Sequence, residues 1–494
     1  MNTADYLLQY SVDNETALVT PKAEYTYQRL KEATLAVLDA FRSTGVLPGD
    51  RTGILGTNSL FWVASYLAAL KLGAIAVPFA TKLPPHELAR QIEQTGCKVL
   101  CVEKRLRQKY SSVLSSFVHL LDEEILTRQV SNIWPVDLSK LDENQDAAWM
   151  LTSGTTAMPR VVRITHLNIQ SNTTSIIQYL GLNRDGRMMV VLPFYYCFGT
   201  SLLHTYLRVG GSLVLGDSLV FPEKILDLMD EKTCTGFAGV PTTFQMYLRN
   251  STFPKRSLPA LRQIQQAGGK LSDVLIKELC DSHPDVSVYI MYGQTEATAR
   301  LSYLPPALLK TKLGSIGRGI PGVELKVVNE TNQEVGPGEV GEIIARGNNI
   351  SPGYLNEPEV NAEKFVGGYL RTGDMATIDE DSYIYIVDRK SDFVKSYGNR
   401  VSSQEVEACI MEIKEVVAVA VVGVPDPLRG EAIRAFVVLR SNAKITENAV
   451  IDHCKQRLAR YMIPKDIFFI KNLPLNQHGK VVKSELKKES YHEK

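Results

Sequence analysis

Apolar residues recur along this chain in two alternating rhythms. At 26–45, TYQRLKEATLAVLDAFRSTG, they fall three and four apart and stop at Gly45, which predicts a helix. RTGILGTNS (51–59) predicts a strand followed by a turn. LFWVASYLAALKLGAIAVPF (60–79) predicts a largely apolar helix, a break at Gly73 and a strand that stops near Pro78. HELARQIEQTG (86–96) then reads as helix and CKVLCVE (97–103) as strand. RMMVVLPFYYCFG (187–199) predicts a strand running into an aromatic turn, and GGSLVLG (210–216) another strand. FPEKILDLMDEK (221–232) is helical, and TGFAGVP (235–241) is a strand that breaks at Pro241. LRQIQQAGGKLS (261–272) and DVSVYIMYGQTEATAR (285–300) repeat the plan of an apolar strand and a small or polar turn. This alternation predicts a mostly parallel sheet wrapped by helices, with ligands bound at turns after strand C-termini.

From about residue 315 the texture changes. SIGRGIPGVELKVVN and GEVGEIIARG are short alternating segments split by Gly and Pro, and GYLRTGD (368–374) and SYIYIVDRK (382–390) continue them. They predict antiparallel β structure. After Asp388 comes a compact α+β unit: SSQEVEACIMEI as helix, VVAVAVVGVP and EAIRAFVVL as strands, TENAVIDHCKQRL as helix, and a closing LPLNQHGKVVKSEL. The domain division expected is therefore 1–388 and 389–494.

Composition narrows the class. The 494 residues are 44% hydrophobic, ample for a large core and too many for one ordinary domain. With 55 basic against 54 acidic residues, nothing asks for nucleic acid or an anionic membrane as partner. The seven cysteines show no C-x-x-C and no zinc spacing, and read as reduced thiols of a cytoplasmic protein. Cys97 and Cys101 fall in a strand-like run and are expected to be buried. The N-terminus lacks a basic start and a long apolar core, so no signal peptide is expected, and no transmembrane segment either.

Four short stretches carry chemistry. In LTSGTTAMPR (151–160), Thr152, Ser153, Gly154, Thr155, Thr156 and Ala157 are all small, so backbone N–H groups and hydroxyls can cradle phosphate oxygens, with Arg160 and Arg163 basic behind them. The same run also suits a flexible surface turn. YGQTE (292–296) follows an apolar strand. Tyr292 can stack on a base, Gln294 and Thr295 can hydrogen-bond, and Glu296 can hold Mg²⁺; a strand-end loop with a buried Tyr weighs equally. Asp374, ending YLRTGD, suits two ribose hydroxyls or a turn cap. Lys480, in PLNQHGKVVK (474–483), is either a solvated tail lysine or a single charge carried on a lid. His166 and His204 have no metal partners nearby and are expected to be structural.

In their order and spacing these motifs resemble those of the AMP-forming adenylating enzymes: acyl-CoA synthetases, stand-alone and modular adenylation domains, and firefly luciferase. The family loop is roughly TSGTTGxPKGV; here Ala157 and Val161 replace glycines and Arg160 replaces the lysine, which keeps the charge in a stiffer loop. YG-x-TE is matched in full. The resemblance implies an α/β fold: a large N-terminal domain of doubly wound sheets with a β-rich subdomain, and a small mobile C-terminal lid. It implies ATP and Mg²⁺, with Lys480, Glu296 and Thr155 catalytic and Glu296 on the metal. Nucleotide contacts would come from Thr152, Ser153, Gly154, Thr156, Arg160, Gly268, Gly269, Tyr292, Gly293, Gln294, Thr295, Asp374 and Arg389.

The reaction implied is attack of a carboxylate on the α-phosphorus of ATP, loss of pyrophosphate, and transfer of the acyl group to a phosphopantetheine thiol of CoA or a carrier protein. Gly398 resembles the residue whose backbone lines the thiol channel. The acid pocket implied includes Tyr195, Cys197, Phe198, Gly239 and Tyr292. Modular amino-acid adenylation domains place an Asp at about Cys197, and no acid occurs between Pro193 and Thr200. A short or medium acyl or aryl acid is therefore favoured over the alternative, a small amino acid such as proline loaded onto a peptidyl carrier protein in a biosynthetic pathway for secondary metabolites. A luciferase-like oxygenase using acyl-AMP is the third reading, distinguished by oxygen consumption without thiol.

The family hinge residue, usually Lys or Asp, falls at Ser391, where a small side chain lets φ and ψ change cheaply. Ser391→Pro fixes φ near −65°. One half-reaction is then expected to survive, namely adenylation. Pyrophosphate exchange and thioester yield on the same variant check this, and equal loss of both moves the hinge elsewhere.

Overall fold

The computed structural model describes residues 1–115, 119–128, 142–152, 159–216, 221–390, 392–440, 443–476 and 479–488, and these build a mixed α/β architecture of four sheets. The largest sheet, of nine strands, runs Arg318–Gly319, Ser302–Leu304, Ser287–Tyr292, Gln263–Gln266, Gly236–Gly239, Arg187–Val190, Ser212–Leu215, Thr16–Val19, Glu24–Thr26. Its middle, from Ser287–Tyr292 to Thr16–Val19, is parallel. Antiparallel strands close both edges. A six-stranded sheet runs Leu120–Leu121, Val99–Val102, Arg51–Leu55, Ile75–Phe79, Asp146–Leu151, Val161–Thr165. It is parallel except for its last pair, the arms on either side of the small-residue loop.

One buried cluster joins residues of both sheets through the helices between them. Leu60–Leu72 shows why: every residue from Leu60 to Leu70 is buried, so the helix needs no polar face and fits only between two apolar surfaces. Ser59 caps its start, and Gly73, at φ 77°, ends it in the left-handed conformation before the next strand begins. Pro78 lies inside the strand Ile75–Phe79 rather than ending it. Pairing to Asp146–Leu151 occurs at Ala76, so Pro78 interrupts no ladder on that side.

The helices His166–Leu180, Cys197–Val209 and Pro241–Asn250 were not legible in the apolar rhythm. The first starts with a reciprocal capping box between Thr165 and Asn168. The second begins inside the stretch expected to be an aromatic turn. The third starts on Pro241, which opens a helix as readily as it ends a strand. The texture change near residue 315 corresponds to a five-stranded antiparallel sheet that includes Val323–Val328, Gly341–Gly347, Tyr369–Ile378 and Ile384–Arg389. Beyond it, Val416–Asp426 and Gly430–Leu439 form the long hairpin of the fourth sheet, flanked by the helices Ser403–Met411 and Glu447–Lys455. No helix among the described residues is long and apolar enough to cross a membrane. Cys97 and Cys101 are buried.

Both histidines sit in the core. His204 Nε2 meets the Tyr66 hydroxyl at 2.9 Å, and His166 Nδ1 meets Thr3 Oγ1 at 2.7 Å. Burial pushes His204 down to about 3 and His166 down to about 4. Because these folded values lie below the ordinary value near 6.5, the unfolded chain takes up protons first as pH falls. The stability they support is complete above that value and is lost as pH drops towards 3 to 4. For His204 the loss is about 2 kcal/mol by pH 5. The unfolding temperature is therefore expected to fall between pH 7.5 and 5, with a shallower slope in His204→Gln, as measured by calorimetry.

Candidate active site

The site forms where the strand Ser287–Tyr292, the last of the parallel block in the nine-stranded sheet, ends. Its turn is packed so tightly that Gly293 has no room for a side chain: a Cβ there would lie 1.9 Å from the Ala299 carbonyl oxygen. Gln294 follows with its Nε2 buried and without a hydrogen-bond partner. Thr295 Oγ1 donates to Cys197 Sγ at 3.6 Å. Glu296 Oε1 accepts the Tyr354 hydroxyl at 2.6 Å. Thr298 is held at φ 64°, a costly conformation for a β-branched residue, and its Oγ1 donates to the Asn349 carbonyl.

Asp374 stands beside this turn, 5% exposed. The Tyr292 hydroxyl donates to Oδ2 at 2.5 Å and Arg389 Nε donates to Oδ1 at 3.2 Å. The Tyr292 ring lies in the apolar cluster under the antiparallel sheet, so its hydroxyl holds the carboxylate. Burial, then the Asp374 charge, raises the Tyr292 pKa well above the usual tyrosine value. Asp374 in turn raises that of Arg389. A further cation, Lys364, donates to the Thr372 carbonyl at 3.1 Å; burial lowers its pKa against the pull of Glu296, Asp374 and Glu342.

Lys480 reaches the same place from the C-terminal lobe. Its segment turns back on itself: Lys480 N–H donates to Asn476 Oδ1 at 3.0 Å, and Asn476 N–H to the Lys480 carbonyl at 2.8 Å. The Gly479 carbonyl accepts the Thr242 hydroxyl at 2.9 Å across the lobes. The Lys480 ammonium lies 5.7 Å from the centroid of the Tyr196 ring. Burial, and secondarily the charge of Arg389, lowers its pKa, while Cys197, Asp374 and Glu296 act in the opposite sense.

Some expected residues stand elsewhere. Tyr195 packs into the cluster with Phe79 and Tyr110, and its neighbour Tyr196 is the aromatic residue that faces Lys480. The two tyrosines sit in a tight turn ahead of the helix, closed by the Tyr196 N–H donating to the Pro193 carbonyl at 3.1 Å, and that turn sends their rings to different sides. Arg160 is engaged with Glu357, Nε to Oε2 at 2.9 Å, and its guanidinium lies over the Tyr354 ring at 5.3 Å. Thr152 joins Arg160 through a backbone hydrogen bond of 2.9 Å at the base of the small-residue loop. Ser153, Gly154, Thr155 and Thr156 of that loop, and Ser391, lie outside the described residues.

Gly268, at φ 89°, brings its backbone to the Tyr196 hydroxyl, where a Cβ would be 2.9 Å away. A Cβ on Gly269 would lie 3.2 Å from Pro241, and one on Gly239 would press into Thr243 and Phe244 of the following helix. Cys197 and Phe198 open the buried helix next to Tyr196. Gly398 sits at φ 75° in the tight turn between Val394–Ser396 and Asn399–Val401. Sequence reading missed Tyr354, Glu357, Lys364 and Arg300. Their signal is spatial, since each depends on chain segments brought together by the sheets.

Chemically, the arrangement gathers Lys480, Arg389 and Lys364 with the carboxylates of Glu296 and Asp374 around a turn that has an unused amide donor at Gln294. This suits a polyanion accompanied by a cation. Among the described residues no cluster of three His, Cys, Asp or Glu could hold an ion with protein ligands alone. Glu296 as a lone carboxylate fits a hard divalent ion that takes its other ligands from phosphate and water.

Residues 9–355 match the family model for the AMP-binding enzyme, and residues 405–480 that for the AMP-binding enzyme C-terminal domain. Feruloyl-CoA synthase of Amycolatopsis sp is 30% identical over 465 residues, covering 94% of this chain and 93% of that protein. 2-Succinylbenzoate–CoA ligase of Bacillus subtilis (strain 168) is 28% identical over 472 residues, covering 95% and 94%. The solved structure of o-succinylbenzoate CoA synthetase (MenE) from Bacillus subtilis, in complex with the acyl-adenylate intermediate OSB-AMP, matches with a TM-score of 0.88 at 27% identity, covering 99% of this chain and 98% of that one. The anthranilate CoA ligase AuaEII in complex with anthranoyl-AMP gives 0.91 at 26% identity, covering 100% and 97%.

The turn's packing is directly testable. Gly293→Ala forces the strand end apart and is expected to cost about 2–3 kcal/mol, lowering the unfolding temperature by roughly 2–4 °C. Gly322→Ala, at φ 80° with nothing within 4 Å, carries only the backbone cost of about 1 kcal/mol. A thermal melt of the two variants side by side checks the difference.

Proposed function

The chain belongs to the AMP-binding enzyme family, and from that premise we propose that it is an AMP-forming acid–thiol ligase joining a small acyl or aryl carboxylic acid to coenzyme A. The observation that carries this reading is the docking of Lys480 beside Tyr196, Cys197 and the Glu296 turn, on a segment the Thr242 hydroxyl holds. Coenzyme A as acceptor is favoured by the CoA ligases among the relatives. An acyl or aryl acid is favoured because no Asp or Glu occurs between Pro193 and Thr200, the aromatic and small stretch around Cys197.

ATP is a substrate of the proposed reaction, and Mg²⁺, when bound, neutralises phosphate charge. Glu296, held by the Tyr354 hydroxyl, would carry that ion. Gln294 Nε2 would give its unused hydrogen bond to the nucleotide, and Asp374 would meet the ribose on the side away from Tyr292. Thr152 and the small-residue loop with Thr155 would cradle the phosphates, and Arg160 would leave Glu357 to join them. In the first half-reaction a carboxylate oxygen of the acid bonds to the α-phosphorus, the bond to the β-phosphate oxygen breaks, and pyrophosphate departs. Lys480 stabilises the charge that builds up on the phosphorus oxygens. In the second half-reaction the thiol, losing its proton to solvent, adds to the acyl carbon and AMP leaves.

The two steps need two arrangements of the lobes. We place the boundary after Asp388, with residues 389–494 as the moving lid. Asp388 is fully buried and accepts hydrogen bonds from Ser403 N–H at 2.7 Å and Ser403 Oγ at 2.9 Å. Rotation about the adjoining residues would release these bonds, the Arg389–Asp374 pair and the Thr242–Gly479 contact, and would withdraw Lys480.

The experiment is a pyrophosphate-release screen over carboxylic acids, with CoA and a carrier protein compared as acceptors. Lys480→Ala is expected to slow acyl-AMP formation by orders of magnitude, a loss of about 3–4 kcal/mol of transition-state stabilisation, and to leave thioester formation from preformed acyl-AMP little changed. The lowered pKa of Lys480 gives the sign of the pH effect: its charge is lost as pH rises, below the ordinary lysine value of 10.5. Adenylation kcat/KM is expected to fall on the alkaline side accordingly. Equal loss in both half-reactions removes Lys480 from this role.

A further inference from the structure

The turn that carries Glu296 continues into a buried cation that the adenylation chemistry does not use. Arg300 is 2% exposed. Its guanidinium stacks on Phe198 at 3.9 Å, the residue after Cys197 at the start of the helix next to Tyr196. The Tyr179 hydroxyl oxygen accepts a hydrogen bond from it and donates its own proton to Met291 Sδ at 3.0 Å. Nε of Arg300 is buried with no hydrogen-bond partner. Among the described residues no Asp or Glu pairs with it, whereas nearly buried Arg249 has Glu278.

A guanidinium removed from water without a counter-ion is costly, and one such face on an aromatic ring offsets only part of that cost. Arg300 is also rigidly placed: its carbonyl accepts from Asn172 at 3.0 Å and from Asn349 at 2.9 Å, and its N–H is near Asn172 Oδ1. A planar guanidinium with an unused Nε donor, fixed beside Cys197 and Phe198, is the chemistry that recognises a carboxylate.

We propose that Arg300 is a specificity-determining residue of the acid pocket, and that it selects substrates bearing a second carboxylate besides the one that is activated. This inference rests on the ligase reading. The reacting carboxylate belongs near Lys480, which faces Cys197, Asp374, Glu296 and Arg389, while Arg300 faces Tyr179, Tyr196 and Cys197. The two cations flank Cys197 and Tyr196 in common, and the proposal gives each of them one carboxylate of a diacid.

The test measures kcat/KM for pyrophosphate release with paired acids that differ only by the second carboxylate: butanoate with succinate, hexanoate with adipate, benzoate with each phthalic acid isomer. The wild-type enzyme is expected to prefer the diacid at least tenfold in one or more pairs. Arg300→Leu is expected to lower that ratio tenfold or more, mainly through KM, and Arg300→Lys to retain part of it. A monoacid preference in every pair, or a ratio unchanged in Arg300→Leu, overturns the proposal. Should Arg300→Leu fail to fold, Arg300→Gln and Arg300→Lys decide on the same ratio. Absence of pyrophosphate release with every acid would be a failure of the ligase reading. Calorimetric titration of the same pairs into wild-type protein and Arg300→Gln then decides the role of Arg300, and diacid binding that is absent or independent of Arg300 overturns it.

Discussion

One constraint governs this molecule: a lysine ammonium from the C-terminal lobe must be carried into a water-poor place already occupied by other charges. Lys480 lies beside the Tyr196 ring, with Arg389 raising the cost of its charge and Glu296 and Asp374 lowering it. Desolvation alone would keep it out. Contacts between the lobes offset that cost. Thr242 holds the Gly479 carbonyl, Asp388 binds Ser403, and the helix Pro241–Asn250 contributes Phe244, Tyr247 and Leu248 to an apolar cluster that continues through Val406, Ile410 and Val421. The lysine is thus placed by distant packing as much as by its own surroundings.

The turn from Gly293 to Arg300 serves several needs at once. Gly293 lets the Ala299 carbonyl approach, Thr298 accepts an unfavourable φ, and Asn349 ties the turn down from the antiparallel sheet. Strain of this sort persists where surrounding bonds over-determine the backbone. It aims Thr295 at Cys197, Glu296 at Tyr354 and Arg300 at Phe198 from one short segment. Asp374 shows the same economy, receiving Tyr292 on one oxygen and Arg389 on the other.

Much of this was legible in the amino-acid order. The helix Leu60–Leu72 and its stop at Gly73, the strand into YGQTE, and the antiparallel texture after residue 315 follow from local periodicity and backbone preference. The helix Cys197–Val209 was not, because its first turn lies in the aromatic run PFYYCFG, which reads as the turn after a strand. Pro241 misled for a local reason, since proline suits both the end of a strand and the first turn of a helix.

The sequence by itself determined the α/β class, the family, and which residue types cluster in motifs, because these depend on spacing along the chain. The tertiary structure decided what those residues touch. It turned Tyr196 rather than Tyr195 towards Lys480, gave Arg160 to Glu357, and set Tyr292 on Asp374. It also brought Lys364 and Arg300, which belong to no motif, into the charged region. Hydrogen bonds and ion pairs act over a few ångströms in space, and partners such as Arg160 and Glu357, or Arg389 and Asp374, come from separate elements whose meeting is set by sheet register and by the packing of one lobe on the other.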